Sequence, residues 1–163
     1  MTKVGLFGIG LDTYWAQFDG LLDNLKEYQK QIKNKISGFG VDVADAGMVD
    51  NIVKARKAAD FLKTNDVEIV FLYISTYALS SIVLPIASKL KVPIVILNLQ
   101  PVPQLDYNAF NKLPDARNKT GIWLEHCQAC SVPELASVFN LSEISYDIVT
   151  GYLHDNEIGR AHV

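Results

Sequence analysis

The sequence predicts a three-layer α/β/α sandwich built around a mainly parallel, doubly wound sheet of about five strands. Three observations support this fold class. Short apolar runs alternate with longer segments of helical periodicity, as βαβ units require. The run at 67–74 is almost wholly apolar, which is typical of a strand buried on both faces of a parallel sheet. The joints are short, and right-handed crossovers then place helices on both faces, as in a flavodoxin-like fold.

Five apolar runs account for the predicted strands. The second run alternates Val41 and Val43 with Asp42, and Gly47 is expected to break it. The predicted strands cover residues 4–9, 39–44, 67–74, 92–97 and 146–153.

Apolar residues at three- and four-residue steps predict the helices between the strands. Thr76 is expected to cap the third helix, and Pro85 to kink or restart it. The stretch 106–119 shows little periodicity and is expected to be a polar connection. The predicted helices cover residues 14–36, 49–63, 76–90, 121–130 and 132–140.

Composition narrows the function classes. The chain has 15 basic and 18 acidic residues with no basic stripe, which argues against a nucleic-acid partner. No signal-peptide layout and no bilayer-length apolar run is present, so we expect a cytoplasmic protein without membrane contact. Two cysteines without an export signal also favour a reducing compartment.

The length predicts one domain, which we place at residues 1–157. The last six residues, 158–163, are expected to be a non-native tail. They read Ile-Gly-Arg-Ala-His-Val, which one frame of a common sequencing adapter encodes. The hypothesis is that a longer gene was cut at this point, before the helix that should follow the fifth strand.

Ligands of open parallel sheets bind beyond the carboxyl ends of the strands. Here those ends carry hydrogen-bonding and aromatic side chains with little charge, which suits a polyol better than a phosphate. An alternative interpretation carries equal weight, namely that the same residues are ordinary loop and helix-cap residues. The four segments concerned are 10–17, 75–77, 100–107 and 150–154.

Other motifs are incomplete. Residues 8–13 begin like a dinucleotide loop but lack its third glycine, so an NAD-linked enzyme is a weaker alternative. Cys127 and Cys130 form a lone Cys-x-x-Cys beside His126, without the second ligand pair of a structural zinc site. We interpret these cysteines as partly buried small hydrophobes, and the histidines as surface or capping residues.

Three segments together resemble the N-terminal domain of the L-arabinose isomerase family, within the L-fucose/L-arabinose isomerase group. The resemblance extends over nearly everything up to Asp155. The segments read VGLFGIGLDTYWAQF at 4–18, TYALSS to KVPIVILNLQP at 76–101, and GIWLEHCQACSVPE at 121–134.

The resemblance implies an aldose–ketose isomerase, which moves a hydrogen between the first two carbons of an open-chain sugar. It implies manganese or another divalent metal in the full-length enzyme. The metal ligands and the proton-shuttling carboxylate belong to later domains. We therefore expect this fragment to contain no catalytic residue, to bind no metal and to be inactive alone.

The resemblance also implies that this domain lends substrate-binding residues to a neighbouring subunit of a homo-oligomer. Matched onto this chain, they are Leu11, Thr13, Tyr14 and Gln128. The best-known arabinose isomerases have Gln-His-Leu-Tyr where this chain has Leu-Asp-Thr-Tyr, so the identity of the sugar stays open. The alternative is a stand-alone, flavodoxin-like sugar-binding or assembly module without catalysis.

Overall fold

The computed structural model describes residues 2–154, which form one five-stranded sheet with helices on both faces. All strand pairs are parallel, and the strand order is β2-β1-β3-β4-β5, the order of flavodoxin-like folds. The predicted fold class is therefore confirmed. The strands are β1 (Lys3–Ile9), β2 (Asp42–Val49), β3 (Ile69–Ile74), β4 (Ile94–Gln100) and β5 (Tyr146–Tyr152).

Within residues 2–154, six α-helices and two short 3-10 turns connect these strands. The 3-10 turns are Asp12–Tyr14 and Gln128–Ser131. The helices are α1 (Leu21–Ser37), α2 (Ile52–Thr64), α3 (Ser80–Leu90), α4 (Tyr107–Asn111), α5 (Ala116–Glu125) and α6 (Val132–Leu141).

The sheet separates two apolar cores. The larger core lies between the sheet and α2, α3 and α6, and Phe139 and Leu62 are completely buried in it. On the opposite face, Ile32 of α1 packs against Leu6, Tyr73 and other side chains of β1, β3 and β4. The helix α5 lies beside α1. Its Leu124 packs with Leu21 and Leu25 of α1 in a third apolar cluster.

The first helix begins later than predicted. Residues 15–20 form turns, and Gly20 precedes α1 with a φ of 78°, a conformation that glycine adopts without cost. Tyr14 instead packs edge-on against Trp15 and Phe18, with ring centroids 6.3 and 6.2 Å apart. The apolar periodicity of this stretch thus reflects an aromatic cluster rather than an earlier helical turn.

The second strand is longer than predicted, and Gly47 does not end it. Gly47 has a φ of 74° and lies in a β-bulge, where the register to β1 shifts between Leu6 and Gly8. The Asp45 carboxylate accepts a hydrogen bond from the Gly47 N–H at 2.9 Å. The bulge lets the chain continue to Val49, at the carboxyl edge of the sheet.

The prediction that Thr76 caps the third helix is wrong. Its hydroxyl donates to the carbonyl oxygen of Leu124 at 2.7 Å, which ties the loop after β3 to the end of α5. The N–H of Ser80 at the start of α3 is bound by the Glu134 carboxylate of α6 at 2.8 Å. Pro85 lies inside α3 without ending it.

The stretch expected to be a polar connection contains α4 and the first half of α5. Side-chain caps start both helices. Asp106 accepts hydrogen bonds from the N–H groups of Asn108 and Ala109, and Asp115 accepts one from Asn118. The predicted helix at 121–130 is accordingly shifted: α5 ends at Glu125 and a 3-10 turn follows it.

Within residues 2–154, none of the helices is long and apolar enough to cross a membrane. The expected non-native tail at 158–163 lies outside the described residues, as do the last three residues of the expected domain, 155–157.

Candidate functional site

The loop after β1 carries exposed polar residues at the carboxyl edge of the sheet, among them Asp12 and Thr13. Backbone hydrogen bonds tie it to the end of β2: Gly10 N–H donates to Val49 at 3.1 Å and Asp12 N–H donates to Asp50 at 3.2 Å. The 3-10 turn Asp12–Tyr14 then presents its side chains beyond the sheet.

Asp50 is the residue that holds this loop, and the sequence analysis missed it. It is 1% exposed, and its Oδ2 accepts hydrogen bonds from Trp15 Nε1 at 2.8 Å and Lys54 Nζ at 2.6 Å. Asn51 donates to both Asp50 and Asp12. An aspartate directly after a strand was the signal in the sequence that could have identified Asp50. The predicted second strand ended at residue 44, so Asp50 was not recognised as a strand-end residue.

Gly10 lets the Trp15 ring lie across the backbone of this loop. A Cβ at Gly10 would lie 2.8 Å from the indole ring, closer than side chains tolerate. The glycine of the incomplete dinucleotide motif therefore serves close packing of a tryptophan.

The three predicted site residues of this loop share one turn but differ in exposure. Leu11 is half-buried and packs against the larger core. Thr13 is exposed, and its carbonyl oxygen accepts a hydrogen bond from Gln17 Nε2 at 2.6 Å. Tyr14 is half-buried and belongs to the aromatic cluster with Trp15 and Phe18. Thr13 and Tyr14 are thus the polar side chains of this set that reach the surface.

The loops after β1 and β3 begin side by side, because the Ser75 hydroxyl donates to the Ile9 carbonyl oxygen at 2.5 Å. Burial raises the pKa of the Tyr14 phenol, and the neighbouring Tyr77 and Cys127 raise it further. The phenol therefore stays protonated at neutral pH and can donate a hydrogen bond. Ser75 thus ties the segment 75–77 to the end of β1, just before the segment 10–17, and Cys127 belongs to the middle of the third region of resemblance.

The other two predicted segments lie further along the same edge. The loops after β4 and β5 are joined where Leu153 N–H donates to the Gln100 carbonyl at 2.9 Å. Two strands separate β1 from β5, so strand spacing places the loops after β1 and β5 roughly 14 Å apart. A single small ligand would not contact all four segments in this domain.

Gln128 is completely buried next to the loop after β3. Its Nε2 donates to the carbonyl oxygens of Ser75 at 3.0 Å and Glu125 at 2.6 Å. Its Oε1 is buried and has no hydrogen-bond partner in the described part of the chain. The Ser131 hydroxyl joins the same turn to Ala78, because it accepts a hydrogen bond from the Ala78 N–H and donates one to the Ala78 carbonyl oxygen. Gln128 thus anchors the turn, and its role in substrate binding stays a prediction.

The two cysteines differ in environment. Cys127 is buried, and burial with the adjacent Cys130 thiol raises its pKa to about 12. Cys130 is exposed, and both are free thiols. His126 ends α5, where its Nδ1 lies 2.8 Å from the carbonyl oxygen of Ile122, in keeping with the predicted capping role.

No three His, Cys, Asp or Glu side chains of residues 2–154 come together in a group that could hold a metal ion. The resemblance places the manganese ligands in later domains, so the expectation that this domain binds no metal stays a prediction.

Neither a scan against models of known protein families nor a search of curated proteins finds a match to this chain.

Proposed function

We propose that this chain is the N-terminal domain of an aldose–ketose isomerase of the L-arabinose/L-ribulose type, assembled as a homo-oligomer. The observation that carries the proposal is the turn Asp12–Tyr14, which presents Thr13 and Tyr14 at the carboxyl edge of a flavodoxin-like sheet. Asp50 holds this turn from below, through Trp15 and the backbone. An ordered polar turn of this kind is suited to hold a ligand in one orientation.

The side chains of this turn suit a neutral polyol. The Thr13 hydroxyl both donates and accepts hydrogen bonds, and the Tyr14 phenol is held protonated, so both can pair with sugar hydroxyls. Leu11 supplies the apolar packing behind them. In this proposal the domain orients a sugar at the active site of a neighbouring subunit, and the hydrogen transfer between C1 and C2 belongs to later domains.

The decisive experiment is to extend the reading frame in genomic DNA and express the complete product. We expect an in-frame second α/β domain rich in Glu and His, and manganese-dependent conversion of L-arabinose to L-ribulose. A frame that ends naturally at Val163, or a complete product without aldose–ketose isomerase activity, would refute the proposal.

Variants of the complete enzyme test the roles of the turn. Thr13→Val and Tyr14→Phe each remove one hydroxyl, and we expect each to lower kcat/KM roughly tenfold. Tyr146→Phe removes a hydroxyl at the amino end of β5, on the opposite edge of the sheet, and should leave kcat/KM unchanged. Equal effects of all three substitutions would count against a specific role of this turn.

The second candidate is a stand-alone sugar-binding module. One observation favours it: contacts within residues 2–154, such as the Asp50–Trp15 hydrogen bond, already hold the turn. Titration of this chain with L-arabinose, followed by Trp fluorescence, tests it. Saturable binding that Tyr14→Phe weakens would support the module, and a flat titration up to the solubility of the sugar would dismiss it.

A further inference from the structure

A cavity of about 320 Å³ lies between the start of α1 and the helix α5, away from the turn Asp12–Tyr14. This volume is at the lower end of small-molecule sites. We call it the α1–α5 cavity. Its lining residues include Phe18, Asp19, Leu21, Asn24, Arg117 and Glu125.

Glu125 is a buried carboxylate at this cavity. It is 8% exposed, and it accepts hydrogen bonds from the Tyr28 hydroxyl on Oε1 and from Asn24 Nδ2 on Oε2, the latter at 3.2 Å. Both donors are neutral. No Lys, Arg or His of residues 2–154 lies within ion-pair distance of it.

A buried carboxylate without a counter-ion is unusual, because removing a charge from water is costly unless an opposite charge compensates it. A carboxylate has about four acceptor positions, of which two are used here. The contrast with Asp50 is direct, since that buried carboxylate is paired with Lys54 at 2.6 Å. Glu125 therefore has both the capacity and the electrostatic need for a cationic partner.

The rim of the cavity adds negative charge. Asp19 and Asp115 line it, and Arg117 is the cation among its lining residues. Arg117 is turned toward the start of α1, where Nε donates to the Gln17 carbonyl and Nη2 lies 3.8 Å from Asp19. The pKa of Asp115 is lowered by the Asn118 backbone N–H, so this carboxylate stays ionised at neutral pH.

The walls of the cavity complete a site for an organic cation. The Phe18 ring lines the cavity, and aromatic rings of this kind interact favourably with ammonium and guanidinium groups. Leu21 offers apolar surface for a carbon stem. We propose that the α1–α5 cavity binds a small organic cation, with its primary ammonium or guanidinium group against Glu125 and its stem against Phe18 and Leu21. This site is independent of the proposed sugar function.

The test is an NMR titration of this chain with n-butylammonium. We expect saturable shifts of the Asn24 and Asn118 side-chain amides, and binding at least about tenfold weaker for 1-butanol, which has nearly the same shape without the charge. Xylitol serves as the polyol probe. Equal binding of butylammonium and 1-butanol, or shifts with xylitol alone, would overturn the proposal.

One variant and one control locate the charge. Glu125→Gln keeps the size of the side chain and should weaken butylammonium binding by at least about tenfold. Glu27→Gln removes the same charge from the exposed side of α1 and should leave binding unchanged. Unaltered binding by Glu125→Gln would refute the assignment.

Phe18→Leu supplies a second readout should Glu125→Gln unfold, as judged by circular dichroism. It keeps every charge and should weaken butylammonium binding roughly threefold by loss of the ring face. Undiminished binding in this variant would contradict the proposed mode.

Discussion

Two buried carboxylates show how local partners decide what an acidic side chain does. Asp50 is paired with Lys54 and holds the Trp15 indole, so its charge is compensated and its function is positional. Glu125 receives only neutral donors, Tyr28 and Asn24. Burial and the hydrogen bond to Glu125 raise the pKa of the Tyr28 phenol well above its ordinary value. Tyr28 therefore remains a hydrogen-bond donor to Glu125 at neutral pH.

The two cysteines are expected to differ strongly in reactivity. Burial and the neighbouring Cys130 thiol raise the pKa of Cys127 to about 12, so little of it carries the thiolate, the reactive form, at pH 9. Cys130 is exposed. Treatment with iodoacetamide at pH 9, followed by peptide mass spectrometry, should find Cys130 modified and Cys127 intact. Both should react in urea, and equal labelling of the native protein would contradict this assignment.

Gln128 is expected to contribute to stability whatever its role with a ligand. Gln128→Leu leaves the carbonyl oxygens of Ser75 and Glu125 without their side-chain donor, which should lower the free energy of unfolding by about 1–3 kcal/mol. Urea denaturation measures the change. Gln104→Leu alters an exposed loop residue and should stay within about 0.5 kcal/mol. A neutral Gln128→Leu would mean that the two carbonyl oxygens find other donors.

At the scale of the elements, capping and periodicity act separately. Asp106 and Asp115 start α4 and α5, although neither segment has a strong apolar repeat. The helix α3 is the opposite case, since packing rather than capping maintains it. Its buried residues, including Ile82 and Val83, keep the chain helical on both sides of Pro85. Tertiary packing thus outweighs the lost backbone hydrogen bond.

Pro85 is expected to cost stability within α3. Pro85→Ala restores an N–H inside the helix and should raise the free energy of unfolding by roughly 1–2 kcal/mol, after allowing for the greater freedom of the unfolded chain. Pro133→Ala is the matched control, since Pro133 lies in the first turn of α6, where no N–H is needed. Thermal and urea unfolding compare them. A destabilised Pro85→Ala would show that the ring packs too well to lose.

At the scale of the whole molecule, the two faces of the sheet are covered unequally. Three helices, α2, α3 and α6, pack over the larger core. On the other face, a small apolar groove remains between α1 and the strands β4 and β5, lined by Phe39, Leu97, Leu99 and Leu153 among others. Phe39 at its rim is 74% exposed. Such surface favours contact with apolar molecules.

We expect this groove to bind the fluorescent dye bis-ANS in the native protein. Phe39→Ser should reduce the dye signal roughly by half or more, with little change in the free energy of unfolding, because the ring is already mostly exposed. Leu141→Ser removes a residue that is 84% exposed at the end of α6 and should leave the signal unchanged. Dye binding that responds to Leu141→Ser and not to Phe39→Ser would place the apolar surface elsewhere.

The alternation of apolar runs and helical repeats determined the fold class, because both patterns are local and together allow few arrangements of a parallel sheet. It also placed the segment 10–17, which includes Thr13 and Tyr14, directly after the end of a strand. Contacts between distant segments were decided only by the tertiary structure. Asn24 and Tyr28 meet Glu125 across about a hundred residues of sequence, and Asp50 meets Trp15 across 35. Burial and the pairing of charges depend on such contacts, so sequence patterns could not distinguish Glu125 from an ordinary helical glutamate.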